Sequence, residues 1–164
     1  MKRYSDCPQI LREFLIYHEN IKGQSQLTIN EYYLDLRMFL RFIKLMRSDM
    51  PINARLYDID IRGVDIHFVR DITTSDIFDF LSYLDNKKIP TTVRQVIIPT
   101  LNDNEDNINR LSGIVSRFSC VDKVELLPFK KMCNMKYEKL GIPFPFGHLP
   151  EPTKEKMNEL QMLV

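Results

Sequence analysis

Ile10, Leu11, Phe14 and Leu15 recur every three or four positions, the spacing of one helix face, and predict a first helix over 8–20. The stretch Lys22-Gly23-Gln24-Ser25-Gln26 breaks that period. Thr28-Ile29-Asn30-Glu31 then has the form of a capping box, the threonine hydroxyl accepting from an amide three residues on while Glu31 reaches back, and it opens a long second helix over 29–47. From 48 to 71 isolated apolar positions mix with Pro51, Gly63 and acidic residues, which predicts an extended connection with little regular structure. Thr73 or Thr74 caps a third helix whose inner face carries Ile77, Phe80, Leu81 and Leu84.

The second half changes period. A β-branched run over 91–98 ends at Pro99, Asn102-x-x-Glu105 opens a helix reaching about Phe118, and a second strand fits 123–127. Strand, helix and strand in that order form the pattern of a right-handed parallel crossover. Two parallel strands leave their outer edges unpaired, and parallel sheets are normally covered on both faces, so this unit calls for neighbours. The tail carries Pro143, Pro145, Pro150 and Pro152 after the loop-opening Pro128, and predicts an ordered surface loop leading to a short final helix. The expected fold class is α+β: a helical bundle at the N-terminus, then a partial βαβ unit with a C-terminal helix.

Composition narrows the class without choosing a function. At 164 residues the chain is one domain or two small ones, and 44% hydrophobic with 27% charged residues excludes a disordered or collagen-like chain. A net charge of +1 neither announces nor forbids a nucleic-acid partner. Cys7, Cys120 and Cys133 are too scattered to build a disulfide framework and suit a reducing cytoplasm. The longest apolar runs, such as Phe14 to Tyr17, are far too short to cross a bilayer, so a cytoplasmic protein without membrane contact is expected.

Charge placement says more. Arg37, Arg41, Lys44 and Arg47 fall within one arc of the second helix while Leu36, Phe39, Leu40 and Ile43 turn away, leaving one cationic edge. Such an edge neutralises phosphates in a DNA-binding protein, with the hydroxyls of Thr28 and Tyr32 adding contacts at the helix start; on an ordinary protein it is a solvated face. The remaining polar features read more plainly. His18 and His148 lack partners at metal-ligand spacing. Cys133 beside Lys130 and Lys131 reads as an ordinary loop thiol. Asp103, Glu105 and Asp106 complement a helix dipole. Phe144 and Phe146 are expected to cover the strand pair.

Two resemblances follow from the residues. Thr28-x-x-x-Tyr32-x-x-Asp35-Leu36-x-x-Phe39, preceded by Leu11-x-x-Phe14-Leu15 and followed by Ile72-Thr73-x-x-Asp76-Ile77-x-x-Phe80-Leu81, resembles the N-terminal core-binding domain of Xer-type tyrosine recombinases and phage integrases, over about 7–84. It is similar to three of that domain's four helices. The resemblance implies a double-stranded DNA partner, other recombinase subunits, and Thr28, Tyr32, Arg37, Arg41, Lys44 and Arg47 as contacts. It implies no catalysis by this chain, because the tyrosine, arginine, lysine and histidine block that stabilises an expelled phosphate charge is absent from the sequence. His67-Phe68-Val69-Arg70 matches a bare His-x-x-Arg pattern but lies where the family has no active site.

Val93-Arg94-Gln95-Val96-Ile97-Ile98-Pro99, Asn102-Asp103-x-Glu105-x-Asn107, Val124-Glu125-Leu126-Leu127-Pro128-Phe129 and Lys136-Tyr137-x-x-Leu140-Gly141 resemble the C-terminal part of pyruvate formate-lyase activating enzymes, over about 85–164. Those are radical S-adenosylmethionine proteins whose four-iron cluster needs three converging thiolates. No Cys-x-x-x-Cys-x-x-Cys is present here, so no cluster or other metal is expected. The resemblance makes Arg94 a cofactor-side candidate, with S-adenosylmethionine a cofactor only under this reading. The family's Leu-Pro-Tyr-His is Leu127-Pro128-Phe129-Lys130, without the histidine, and a family glycine is Cys133. The sequence thus predicts a composite with domains over 1–84 and 85–164, both matches ending near a junction at 84–86, as a gene fusion, rearrangement or truncated frame would leave. A non-catalytic recombinase DNA-binding module is the expected function; a remnant of a glycyl-radical activating enzyme is the alternative, and a chain with no selected function the third.

Overall fold

The computed structural model describes residues 4, 6–51, 54–131, 134–139 and 141–164, in two compact units, Met1–Leu81 and Ser82–Val164. In the first, α1 (Gln9–Ile16) carries its buried Leu11 and Leu15 at helical spacing and runs into a wider π-helical turn, Tyr17–Ile21. The turn ends where Gly23 adopts φ +64, a left-handed conformation that costs a glycine nothing. Next comes α2 (Gln26–Met46), and its start corrects the expected capping box: the cap is Ser25, whose hydroxyl accepts from the Thr28 amide at 3.2 Å. Thr28 sits inside the first turn, with its own hydroxyl 2.9 Å from that of Ser25.

The connection after α2 is also not the loose linker expected. Ile59, Ile61 and Val64 are buried, and Ile61 and Val64 join Cys7, Leu11, Leu15, Ile29, Tyr33 and Leu40 in one core. A 3-10 turn (Leu56–Asp58) and a short α3 (Ile66–Arg70), capped by the Asp65 carboxylate on the Phe68 amide at 2.9 Å, give the segment regular structure. α4 (Thr74–Lys87) opens with a capping box in which the Asp76 carboxylate accepts from the Thr73 amide at 2.7 Å and the Thr73 hydroxyl accepts from the Asp76 amide at 3.3 Å. Phe80 meets the Phe39 and Phe42 rings at 5.0 and 5.3 Å. Ile77, expected inside, is 48% exposed.

In the second unit β1 (Thr91–Ile97) and β2 (Val121–Pro128) pair in parallel, connected through α5 (Glu105–Val115). The turn into α5 is built by side chains: Asn102 accepts from the Ile98 amide at 2.6 Å and donates to the Val96 carbonyl at 2.9 Å. Asn104, not Asn102, caps the helix. Ile97 and Leu126 pack with Ile108 of α5 and Leu160 of α7 (Lys154–Gln161), so helices cover one face of the pair. The register opposes Thr92 to Lys123, Arg94 to Glu125 and Val96 to Leu127, and these residues alternate with the core positions to form the other, open face.

The proline-rich tail contains a helix that periodicity missed, α6 (Asn134–Lys139). Phe144 stacks on Phe129, just past β2, at 6.0 Å, with Phe146 edge-on to the same ring at 6.4 Å. The fold is mixed α+β, helical at the N-terminus, with a parallel strand pair and a C-terminal helix. Among the described residues no helix is long and apolar enough to cross a membrane.

Candidate nucleic-acid interface

The cationic edge of α2 meets three other stretches of the same unit. At its N-terminal end, Arg41 donates to the Ile59 carbonyl at 3.1 Å and to Asp6 at 2.8 Å, and its guanidinium lies 5.3 Å from the Tyr57 ring centre. Only 8% of Arg41 is exposed. Arg37 is 3.7 Å from the same Asp6 carboxylate, donates to the Tyr33 hydroxyl at 3.2 Å and stacks over the Tyr33 ring at 4.9 Å. Tyr33 in turn donates a short hydrogen bond to Asp6. Burial, with the bond to anionic Asp6 second, raises the Tyr33 hydroxyl above the usual phenol range.

One turn on, Lys44 donates to the Asp60 carbonyl. The Asp60 carboxylate is matched by Arg62 at 2.8 Å, and hydrogen bonds from Arg62 hold it below the usual range. Arg47, just past the helix, donates to the Asp71 carbonyl at 2.7 Å and the Asp76 carboxylate at 2.8 Å, over the Phe68 ring at 5.2 Å. Asp76 is held low chiefly by the Thr73 amide and hydroxyl, with Arg47 contributing less.

This corrects the sequence expectation of a free cationic face. Buried Ile59 and Ile61 draw the connection against α2, so the four cations line a seam inside the unit. Arg41 is a structural cation here, closed to solvent. Arg37, Lys44 and Arg47 are only partly covered. Among the described residues the four cations and Arg62 face three carboxylates, Asp6, Asp60 and Asp76, with Asp60 shared by Arg62 and Lys44. That excess of cations is local: residues 1–81 hold 11 Lys and Arg against 12 Asp and Glu.

Tyr32 lies at the other end of α2, in an aromatic group with Phe14 at 6.0 Å and His18 at 5.5 Å, its hydroxyl accepting from Gln24 at 3.3 Å. Gln24 also bonds His18 at 2.8 Å, which gives that histidine a structural role. Thr28 is half-buried beside Ser25. Among the described residues no hydrogen bond or ring contact links Thr28 or Tyr32 to the four cations. His67 and Arg70 are exposed on α3.

In the second unit Arg94 pairs with Glu125 across the strands at 2.6 Å, and Lys123 joins the same carboxylate at 2.5 Å. Lys123 and then Arg94 push Glu125 down to about 2. Lys130, where the activating enzymes have histidine, pairs with Glu151 at 2.8 Å. No group of three metal-ligating side chains occurs among the described residues; Cys133 and Leu140 lie outside them. Arg94, the S-adenosylmethionine candidate, is paired with a carboxylate, and the sequence contains no Cys-x-x-x-Cys-x-x-Cys. Cys7 is buried, and desolvation raises its thiol to about 11, well above reactive thiols.

The chain is similar to two classes of bacterial protein, tyrosine recombinases and pyruvate formate-lyase activating enzymes. It is 36% identical over 84 residues to the tyrosine recombinase XerC of Caldanaerobacter subterraneus subsp. tengcongensis, covering 51% of this chain and 24% of that protein. It is 35% identical over 106 residues to the pyruvate formate-lyase-activating enzyme of Clostridium pasteurianum, covering 63% of this chain and 44% of the relative. With the pyruvate formate-lyase 1-activating enzyme of Escherichia coli K12 it shares 26% identity over 136 residues, 78% of this chain and 53% of that protein. No family model matches. The chain spans between about a quarter and about half the length of these relatives. A match of 106 residues is longer than the stretch after Leu84, so the activating-enzyme similarity runs back across the expected junction and overlaps the recombinase one.

Proposed function

We propose that residues 1–84 form a DNA-binding module of the tyrosine recombinase kind, acting without strand cleavage, with double-stranded DNA and other recombinase subunits as its partners. The observation that carries this reading is the excess of cations along the α2 seam among the described residues, Arg37, Arg41, Lys44, Arg47 and Arg62 against Asp6, Asp60 and Asp76, within the part of the chain that resembles a recombinase. The contacts assigned are Arg37, Lys44 and Arg47, which are only partly covered, with Thr28 and Tyr32 at the far end of the helix. Arg41 is withdrawn from the direct contacts because it is buried.

The test is fluorescence anisotropy with a labelled duplex over a salt series, comparing the wild type with Arg37→Gln/Lys44→Gln/Arg47→Gln. Three lost phosphate contacts reduce the slope of log affinity against log salt by about 3 and weaken binding at low salt by a large factor, while circular dichroism stays unchanged. Equal affinity and slope in the two proteins overturn the proposal.

A second reading concerns residues 85–164, the part whose motifs resemble activating enzymes; the match to such an enzyme, 106 residues, is longer than the recombinase match of 84. We read this part as an α/β segment of activating-enzyme type that holds no cofactor, because its Arg94 is neutralised and its cluster ligands are missing from the sequence. Calorimetry against S-adenosylmethionine gives no heat of binding under this reading; a heat that disappears in Arg94→Ala refutes it.

A further inference from the structure

We infer that Asp6 fills a phosphate seat: its carboxylate occupies the place on Arg37, Arg41 and Tyr33 that a phosphate group takes when the segment before α1 lets go. The inference rests on the DNA-binding reading and supplies its regulation. Two guanidinium groups and a phenol converge on this one carboxylate, with Arg41 at 2.8 Å, Arg37 at 3.7 Å and the Tyr33 hydroxyl donating to the other oxygen. That donor set matches a tetrahedral oxyanion, since guanidinium forks and hydroxyls recognise phosphate through charge-assisted hydrogen bonds.

The donors are held independently of Asp6. Arg41 is anchored by the Ile59 carbonyl and the Tyr57 ring, and Arg37 by the Tyr33 ring and hydroxyl. The Asp6 side chain is a quarter exposed, and it enters from the short segment ahead of α1, where Cys7 donates to the Tyr4 carbonyl at 3.1 Å. One carboxylate against two guanidinium groups leaves one positive charge over; a duplex phosphodiester carries the same single charge as Asp6 and exchanges with it one for one, while free inorganic phosphate brings up to two. Asp6 therefore keeps the Arg41 end of the seam closed, and duplex binding competes with it.

The experiment uses the full chain. Asp6→Asn removes the charge and keeps the shape; it binds a short labelled duplex about tenfold more tightly than wild type, with a salt slope steeper by about 1, the value for one added phosphate contact. Asp6→Asn/Arg37→Ala loses that gain. In parallel, thermal melts at fixed ionic strength in chloride and in inorganic phosphate show a larger phosphate stabilisation for Asp6→Asn than for wild type. Should Asp6→Asn fail to fold, amide exchange of the wild-type segment around Cys7 rises when duplex saturates the protein, as it must if Asp6 is displaced.

If wild type and Asp6→Asn bind duplex alike and melt alike in phosphate, the seat is refuted while the DNA-binding reading stands. If neither binds duplex but phosphate selectively stabilises Asp6→Asn, the seat is upheld for free phosphate and the DNA-binding reading falls. No difference in any arm, or unchanged exchange at saturation, removes the inference.

Discussion

Replacing Arg41 by alanine separates the seam from a solvated DNA face, because the two arrangements predict opposite costs. In the structure the side chain is 8% exposed and bonded to a main-chain carbonyl, so its loss leaves the Ile59 carbonyl unsatisfied, about 1 to 3 kcal/mol. Asp6 retains Arg37 as a partner and is partly solvated, so the ion pair adds about 1 kcal/mol at most. The Tyr57 ring is mostly exposed, and its contact with the guanidinium adds about 0.5 kcal/mol. The total is about 3 kcal/mol, against about 0.5 kcal/mol or less for an ordinary surface residue. With a urea slope of about 1 to 3 kcal/mol per M, the midpoint falls by about 1 to 3 M. Because the chain has two units, the transition is followed by amide exchange in peptides from α2, which reports the first unit alone. Arg41→Lys recovers only part of the loss, since an ammonium cannot span the carbonyl and the carboxylate as a planar fork does. A cost below about 0.5 kcal/mol together with a large loss of duplex affinity would refute the reasoning and return Arg41 to a phosphate-facing role.

Two further outcomes rest on the packing and pairing described above. Ile61→Ala, at a side chain with no exposed surface, costs about 2 to 5 kcal/mol in urea unfolding of the first unit, whereas a loose linker position costs almost nothing. Glu125 has its pKa depressed from 4.5 to about 2 by Lys123 and Arg94, so its stabilisation is complete above 4.5 and is lost as pH falls toward 2. The stability difference between wild type and Glu125→Gln therefore narrows over that window in urea titrations of the second unit; a difference that widens on acidification contradicts the pairing.

The elements with a strong period were legible in the sequence. The apolar stripe of α2, the β-branched run of β1 and the crossover through α5 to β2 all follow from patterning, within a few residues at their ends. The connection after α2 was not, because Ile59, Ile61 and Val64 follow neither a helical nor a strand period; their burial comes from packing against residues distant in sequence. That blind spot also determined the reading of the site. Helical geometry places Arg37, Arg41, Lys44 and Arg47 on one edge, but it carries no information about what lies opposite, and Asp6, Asp60 and Asp76 come from three segments that no local pattern connects to α2. A pointer existed in Ser25, three residues before Thr28: serine at the break in period is as good a helix cap as threonine, and it moves the helix start one turn earlier.

The open face of the strand pair has a consequence for the behaviour of the chain in concentrated solution. Val96 and Leu127 sit side by side there, next to two sheet edges whose main-chain groups can template further strands. Arg94, Glu125 and Lys123 occupy the neighbouring rung, and another copy stacking on that face has to strip water from all three. Removing those charges is expected to lower solubility even where the unit folds as tightly as before, an outcome that precipitation curves of Glu125→Ala/Lys123→Ala against wild type check.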